Sequence, residues 1–458
     1  MQPHQQTAAS GPGGHHGVIG KIVYVFERVL PDPFVLSIWL TVLVGLLAIA
    51  FAPHASATTL LNSWYGGAFK ILQFAFQMVL ILATGFAVAD APVVRALLER
   101  LARGATSPGR AAALVFPIVG LAAWANWGLG LVVAAFLSRA IARNTRIDFG
   151  WLVAACYSAW SVCNNGLSSS IALSQASHGN EMNFIEKATG QLIPLSATIF
   201  APFVLLPSLA VLVVMGFVFV RMYPVGDVQP LVPDAEAPEQ DSHSRSAIAP
   251  DSFAARLERS PIGTLILLAI GLGVIFIAVQ AHKFALDINT TILIFLLVGL
   301  ALQGRPIAYA NAIRAAVTQC GAMVLQYPMY GGIMGIMAGT GLAAAIAKGF
   351  VAFASAGTLP FWSYCSSLII TLLVPSAGGH WAVQGPFVVP AAVALHADAA
   401  RTAMGVAMAE NVSNMLQPFW AVPMVAMAGI RIQKVMGYTA ITFLVSLVIY
   451  AAALLLIP

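Results

Sequence analysis

The sequence predicts an all-α polytopic membrane protein, with about nine transmembrane helices and two re-entrant hairpins arranged as an inverted-topology repeat. Three observations support this fold class. Hydrophobic residue types make up 59% of the chain and charged types only 9%, whereas a soluble domain carries about 25% charged residues. Apolar stretches long enough to cross a bilayer, which takes roughly 20 residues, recur along the chain. Two other long stretches lack charge but are interrupted by Gly, Pro and polar residues.

The first 20 residues are polar and rich in Gly, His and Gln, and we expect a cytoplasmic tail and pre-helix segment over residues 1–32. Lys21 and Arg28 precede the first predicted span, at about 33–52, and four arginines follow the second span, between positions 95 and 110. Because Lys and Arg concentrate in cytoplasmic loops, the N-terminus is predicted on the cytoplasmic side of an inner membrane.

The first predicted hairpin covers about residues 111–140. This stretch is uncharged up to Ser138 and has arginines on both flanks, so a single crossing would place one basic cluster outside. A hairpin entering from the cytoplasm, with Asn126 to Gly128 at its tip, keeps both clusters inside. Irregular backbone at that depth requires burial in protein or a cavity. One long tilted helix is the alternative.

The remaining elements follow from hydropathy and charge. The first transmembrane repeat is predicted at 33–222, a cytoplasmic linker at 223–260, and a connecting span with the second repeat at 261–458. Further spans are predicted at about 150–175, 191–221, 262–280, 288–303, the region ending near Lys348, 402–425 and 435–457. A second hairpin, at about 358–396, is predicted to enter from outside. Gly335 and Gly339 have the GxxxG spacing, which favours close helix packing.

The two halves share one order of elements: two spans, a hairpin and two spans. The first set starts inside and the second, from about 288, starts outside, which is the inverted-topology repeat typical of secondary transporters. The span at 262–280 is then an additional connection between the halves.

Each half has a polar interruption at its hairpin tip and another in the following helix, with similar spacing. Helix N-termini at such breaks carry about half a positive charge, and side-chain hydroxyls and amides can complete a carboxylate site. No Lys or Arg lies in this predicted core, which favours a small monoanion over a dianion. Packing contacts for Ser and Gly, and membrane-interface positions for Trp, are the alternatives. The candidate substrate-binding residues are Asn126, Trp127, Gly128, Asn164, Asn165, Ser168, Ser169, Ser376, Gly378, Gly379, His380, Asn411 and Asn414.

Glu410 lies inside a predicted span, where an ionised carboxylate costs about 2.5–3.5 kcal/mol. We therefore expect it to be neutral, paired or facing a water-filled cavity, and to couple transport to protons or to a cation such as sodium. A structural hydrogen bond is the alternative. Histidine titrates near physiological pH, which makes His380 the second coupling candidate. The four cysteines form no CxxC pair, so neither a metal site nor a cofactor is predicted, and no basic, aromatic-rich stretch indicates nucleic-acid binding.

Several motifs resemble those of the bacterial short-chain fatty acid transporter family. These motifs are Leu30-Pro31-Asp32-Pro33, Asn126-Trp127-Gly128-Leu129-Gly130-Leu131-Val132-Val133, Pro375-Ser376-Ala377-Gly378-Gly379-His380-Trp381, Gln384-Gly385-Pro386-Phe387-Val388 and Gln417-Pro418-Phe419-Trp420-Ala421. The resemblance implies uptake of acetate, butyrate or acetoacetate, coupled to protons or sodium. The family is similar to the wider ion-transporter superfamily, which implies paired hairpins and a homodimer. A passive anion channel or facilitator and a dicarboxylate transporter are the alternatives. The chain has no HExxH, GxSxG or paired-Asp motif, so an enzyme is not predicted.

Overall fold

The computed structural model describes residues 32–224, 228–230, 252–428, 430 and 432–457. These residues form α-helices and short 3-10 helices, and no strand occurs among them. Most of the predicted N-terminal tail, including Lys21 and Arg28, and most of the predicted linker lie outside the described residues.

The first half of the chain contains helices α1 to α10. They are α1 (Pro33–Phe51), α2 (Ala57–Lys70), α3 (Leu72–Ala89), α4 (Pro92–Ala102), α5 (Pro108–Ala125), α6 (Trp127–Asn144), α7 (Phe149–Ala159), α8 (Ser170–Ala176), α9 (Phe184–Thr189) and α10 (Pro202–Arg221). Two 3-10 turns, Cys163–Asn165 and Leu195–Ala197, lie between them.

The second half contains helices α11 to α21. They are α11 (Phe253–Arg259), α12 (Ile262–Gln280), α13 (Ile288–Gln303), α14 (Pro306–Val317), α15 (Gly321–Thr340), α16 (Leu342–Phe353), α17 (Leu359–Ile370), α18 (Ala377–Ala394), α19 (Ala399–Ser413), α20 (Pro418–Ala428) and α21 (Gln433–Leu456). A 3-10 turn, Thr318–Cys320, joins α14 to α15.

Six helices of the described chain are long and apolar enough to cross a membrane, or seven if the bent pair α15–α16 is one span. The predicted count of nine stays a prediction, because several expected spans are interrupted. The region ending near Lys348 bends by 76° between α15 and α16. Gly341 lies at this bend with φ +84°, a conformation that glycine adopts without steric cost. The helix expected from 191 begins only at Pro202.

Helices α5 and α6 form a helical hairpin, here called the first hairpin, with its turn at Asn126. A Cβ on Gly130 would lie 2.5 Å from the Cα of Ala123, so the two backbones run side by side within two turns of the tip. One long continuous helix over this stretch, the alternative considered above, is therefore wrong. Whether the hairpin re-enters on the side it came from stays a prediction.

Helices α17 and α18 form the second hairpin, joined by residues 371–376. Ser363 and Ser367 of α17 contact Gln384 of α18, while Thr371 contacts His380 nearer the tip. This order of contacts is that of two antiparallel helices.

A broken helix follows each hairpin. Residues 160–169 separate α7 from α8, and residues 414–417 separate α19 from α20. These breaks coincide with the polar interruptions identified in the sequence. We call α7–α8 the first broken helix and α19–α20 the second.

Close packing of α2 against α15 depends on glycines of both helices. A Cβ on Gly331 would lie 2.7 Å from the carbonyl oxygen of Gly67, and one on Gly335 or Gly339 would overlap Ser63. The GxxxG prediction of close helix packing is confirmed.

Candidate functional site

The two hairpin tips and the two broken helices enclose one buried cavity, which α3 and α15 close from the side. The empty space between its lining atoms, open solvent at its mouth included, amounts to about 360 Å³. The lining residues are Met78, Trp127, Trp160, Cys163, Asn164, Ser170, Met323, Tyr327, Ser376, Ala377, Gly378, Glu410, Asn414 and Trp420.

Asn126 builds the tip of the first hairpin. Its Oδ1 accepts hydrogen bonds from the backbone N–H groups of Gly128 (2.9 Å) and Leu129 (3.0 Å), which makes it the N-cap of α6. Its Nδ2 donates to the carbonyl of Ile81 in α3 at 3.0 Å. The polar atoms of Asn126 are thus occupied within the fold, and the side chain does not line the cavity.

The first hairpin tip is joined to the break of the first broken helix. The N–H of Trp127 donates to Ser168 Oγ at 2.8 Å, and the indole N–H of Trp160 donates to the Trp127 carbonyl at 2.8 Å. The N–H of Leu167 donates to the carbonyl of Trp124 at 2.7 Å. Since Asn126 and Ser168 already accept from the first N–H groups of α6, this helix offers few donors to a ligand.

The second hairpin tip differs in this respect. Ser376, at the start of α18, makes no capping hydrogen bond with its side chain, and Ser376, Ala377 and Gly378 all line the cavity. Tyr327 of α15 lies with its hydroxyl 3.4 Å from Ser376 Oγ. The start of α18 therefore presents its partial positive charge to the cavity.

The two broken helices contact each other at and beside their breaks. The N–H of Asn164 donates to Asn411 Oδ1 at 2.9 Å, and Cys163 Sγ lies 3.5 Å from the same oxygen. The hydroxyl of Tyr157 donates to the carbonyl of Asn414 at 2.9 Å. Both halves of the chain therefore contribute directly to one site.

Glu410 and His380 form a buried pair at the edge of the cavity. Glu410 Oε2 lies 3.0 Å from His380 Nδ1, and Thr371 Oγ1 lies 3.0 Å from Oε2 and 2.7 Å from Nδ1. Both side chains are fully buried. Glu410 lines the cavity, and its second oxygen, Oε1, has no hydrogen-bond partner. Glu410 is thus paired with His380 and also lines the cavity.

Several other buried polar atoms around the cavity also lack a partner. They are Ser170 Oγ, Asn411 Nδ2, Ser413 Oγ, Asn414 Oδ1 and Gln417 Oε1. An unpaired buried polar group costs about 1–3 kcal/mol. Such a concentration is expected where a polar ligand or water completes the hydrogen bonding.

The predicted site residues fall into two groups. Trp127, Asn164, Ser376, Gly378, Glu410 and Asn414 line the cavity. The others support it from behind: besides Asn126, these are Gly128, Asn165, Ser168, Ser169, Gly379, His380 and Asn411. Gly128 packs on Leu82 and Gly379 on the ring of Tyr330. Asn165 donates to Ser208, and Ser169 caps α8.

Met78, Met323 and Tyr327 were not predicted because they lie on α3 and α15, outside the polar interruptions from which the site was predicted. Cys163, Ser170 and Ala377 lie next to predicted residues, Trp160 lies four positions before Asn164, and Trp420 belongs to a motif already quoted for the family resemblance. For these residues, closeness in sequence to a predicted residue or to a quoted motif was the signal that could have identified them as lining residues.

Within the described part of the chain, no group of three or more His, Cys, Asp or Glu side chains is placed to hold a metal ion. The absence of a cofactor stays a prediction.

A helical chain with several membrane-crossing helices, whose hairpins and broken helices enclose a polar cavity, has the architecture of a membrane transporter. The family model described as "Short chain fatty acid transporter" matches residues 17–457, and the chain belongs to this family. It is a family of transporters and not of enzymes.

Two relatives extend over nearly the whole chain. A protein of Escherichia coli (strain K12), provisionally named a short-chain fatty acid transporter, is 37% identical over 94% of this chain and 97% of its own length. A protein of Haemophilus influenzae with the same provisional name is 32% identical over 91% of this chain and 94% of its own. Both are bacterial, consistent with a bacterial inner membrane.

The crystal structure of the Alcanivorax borkumensis YdaH transporter, described as having an unusual topology, has a similar fold. The TM-score is 0.58 at 15% identity, and the match covers 93% of this chain and 98% of that one. At this identity, the likeness concerns the fold alone.

Proposed function

We propose that this protein is a secondary active transporter that moves short-chain monocarboxylates such as acetate, butyrate or acetoacetate across the inner membrane. The main support for the proposal is the cavity shared by the two halves. It combines the N-terminus of α18, which has no side-chain cap, with unpartnered polar side chains and apolar walls. None of its lining residues is Lys or Arg.

The carboxylate would bind at the start of α18. Backbone N–H groups at a helix N-terminus are suited to anions, and a cap from Ser376 does not compete for them. Ser170 Oγ, a hydroxyl donor without a partner, lines the same cavity and can complete the carboxylate's hydrogen bonds.

The alkyl end of the substrate would lie against the apolar side chains of the cavity. They are Met78, Met323, Trp127, Trp160 and Trp420. Trp127 and Trp420 have ring centroids 5.2 Å apart, and methionine side chains adapt to small ligands of differing shape.

Charge favours a monocarboxylate over a dicarboxylate. The lining contains one acidic side chain, Glu410, and no Lys or Arg. A dianion would therefore bring two negative charges beside a carboxyl group with only helix-dipole and hydrogen-bond compensation, and burying an uncompensated charge is costly.

Coupling to protons or sodium would use Glu410, which lines the cavity and whose Oε1 has no hydrogen-bond partner, together with His380. An inverted-topology repeat would supply access from alternating sides. The order of helices supports such a repeat: α1, α2–α3, α4, first hairpin, first broken helix and α10 correspond to α13, α14–α15, α16, second hairpin, second broken helix and α21. We further propose a cytoplasmic N-terminus and a homodimer.

The test is uptake by the purified full chain in proteoliposomes, with acetate, butyrate, acetoacetate and succinate, each with and without a sodium gradient. We expect accumulation of the monocarboxylates above the external concentration, and little uptake of succinate. Equilibration without accumulation would indicate a passive facilitator, and preference for succinate would contradict the monocarboxylate proposal.

A matched pair of variants connects transport to the cavity. Ser170→Ala removes an unpartnered hydroxyl of the lining, whereas Ser174→Ala removes a hydroxyl one turn further along α8 that donates to the Ile171 carbonyl. A hydrogen bond to a charged group contributes about 1.5–3 kcal/mol. Ser170→Ala should therefore weaken butyrate binding about tenfold or more, with little change for Ser174→Ala. Equal effects of the two would argue against a carboxylate at Ser170.

A further inference from the structure

A buried side-chain amide stands behind the Glu410–His380 pair, on the side away from the cavity. Gln384, one turn after His380 on α18, has its Oε1 2.6 Å from His380 Nε2. Gln384 and His380 are fully buried, as is Thr371. The imidazole is therefore held on both sides, by Gln384 at Nε2 and by Glu410 with Thr371 at Nδ1.

The orientation of the Gln384 amide follows from its other contacts. Its Nε2 lies 3.0 Å from the carbonyl oxygen of Ser363, a group that can only accept a hydrogen bond. The amide nitrogen must therefore face Ser363, and the amide oxygen must face His380. Ser367 Oγ also donates to this oxygen at 2.7 Å.

This orientation determines where His380 carries its proton. An amide oxygen has no hydrogen to give, so the proton in the 2.6 Å contact belongs to His380 Nε2 in every protonation state of the ring. The neutral ring then has its lone pair on Nδ1, which faces Thr371 Oγ1 at 2.7 Å and Glu410 Oε2 at 3.0 Å. A proton shared between Nδ1 and Oε2 gives the pair zero net charge, whichever atom holds that proton.

A second proton has one remaining position on this pair, Glu410 Oε1, which lacks a partner on a side chain that lines the cavity. Its uptake gives the pair a net charge of +1. A buried charge is costly unless it is paired, and a monocarboxylate in the same cavity supplies the opposite charge. Proton and substrate thus stabilise each other's binding.

We propose that Gln384 is the positioning residue of a one-proton coupling device, in which Glu410 Oε1 binds one proton together with each monocarboxylate and releases both on the other side. This inference rests on the proposed function. An O–H bond forms at Oε1 with a proton from the entry side and breaks on release, so one proton and one monoanion cross together without net charge.

The other titratable groups packed near Glu410 are uncharged near neutral pH. They are the thiol of Cys163 and the phenols of Tyr157, Tyr327 and Tyr330. Among the lining residues none is Lys, Arg or Asp. The charge balance of the cavity therefore depends on the pair and the substrate.

The experiment measures butyrate uptake driven by an imposed pH gradient, and butyrate counterflow without a gradient, in proteoliposomes containing the full chain. Protein-free liposomes provide the correction for diffusion of undissociated acid. For the wild type, we expect accumulation driven by the pH gradient without sodium, at a rate that a potassium–valinomycin potential does not change.

Gln384→Glu keeps an acceptor for Nε2–H and adds a negative charge beside it, which favours the protonated pair. The pH midpoint of uptake should move upward by about one unit or more. The matched control is Ser367→Ala, which removes the other donor to the same oxygen and should leave the midpoint in place. If the cluster were merely structural, both variants would lower the rate and neither would move the midpoint, and this result would overturn the proposal.

Glu410→Gln replaces the proton-binding oxygen by a group that cannot ionise. Counterflow should become independent of pH, and accumulation driven by the pH gradient should disappear. Retained proton-driven accumulation in this variant would overturn the inference. So would a wild type that accumulates butyrate only with a sodium gradient, while the proposed transport function would stand. A wild type that moves no monocarboxylate would instead refute the proposed function itself.

Discussion

At the scale of single residues, polarity inside apolar sequence indicates the site but does not separate lining residues from supporting ones. Asn164, Glu410 and Asn414 line the cavity, whereas Asn126 caps α6 and the amide nitrogen of Asn165 donates to Ser208. Both groups are costly to bury, and in the sequence both are simply polar residues within apolar stretches. Which of them lines the cavity depends on packing partners such as Ile81 and Ser208, which are distant in sequence.

Asn126 gives the clearest test of this distinction. Asn126→Ala removes the cap of α6 and the bond to the Ile81 carbonyl, so the free energy of unfolding should fall by about 1–2 kcal/mol. Butyrate affinity should change little, because the cavity keeps its lining residues. Thermal unfolding in detergent, with and without butyrate, measures both quantities.

The control for Asn126 lies at the exposed end of the same helix. Asn144→Ala, which loses a bond to the Ala140 carbonyl, should change stability by less than about 0.5 kcal/mol. An Asn126→Ala variant of normal stability that no longer binds butyrate would instead show that Asn126 contacts the substrate.

At the scale of helices, breaks that contain several polar residues are predictable, and breaks formed by one glycine are not. The interruptions between α7 and α8 and between α19 and α20 each contain a run of Asn, Ser or Gln, which identified them. The bend at Gly341 lies in apolar sequence that also contains the packing glycines Gly335 and Gly339. A glycine that allows close packing of two helices and a glycine that bends the chain have the same sequence context. They can be told apart only when the neighbouring helix is known.

The packing of α2 on α15 can be tested with a pair of glycines. A Cβ on Gly335 would overlap the carbonyl of Ser63, so Gly335→Ala must separate the helices and should cost about 1–3 kcal/mol of stability. A Cβ on Gly273 of α12 would meet no atom within 4 Å. Gly273→Ala should be neutral or stabilising by up to about 1 kcal/mol. Equal thermal stability of both variants would contradict the role given to Gly335.

At the scale of the whole molecule, the two halves interlock. Helix α1 packs on α15 and α13 packs on α3, so the first helix of each proposed repeat contacts a long helix of the other. Helix α4 packs on α6 as α16 packs on α18. The sequence predicted the order of elements because charge and hydropathy are local properties. The contacts between halves, including Asn164 with Asn411, depend on long-range packing and were not deducible from it.

The inverted repeat makes a whole-molecule prediction about membrane sidedness. If both hairpins re-enter, the two ends of each lie on one side of the membrane, and the hairpins open to opposite sides. The four native cysteines are replaced by serine, and single cysteines are introduced at Thr106 or Asn144 for the first hairpin and at Ala356 or Ala394 for the second. All four positions are exposed, so a membrane-impermeant maleimide can reach them.

Thr106→Cys and Asn144→Cys should react only in inside-out vesicles, because the arginines near both positions favour the cytoplasm. Ala356→Cys and Ala394→Cys should react only in right-side-out vesicles. Opposite reactivity within either pair would mean that the two helices of that hairpin cross the membrane. If all four cysteines reacted on the same side of the membrane, the hairpins would still be re-entrant but the two halves would not be inverted. The structural basis proposed for access from alternating sides would then be lost.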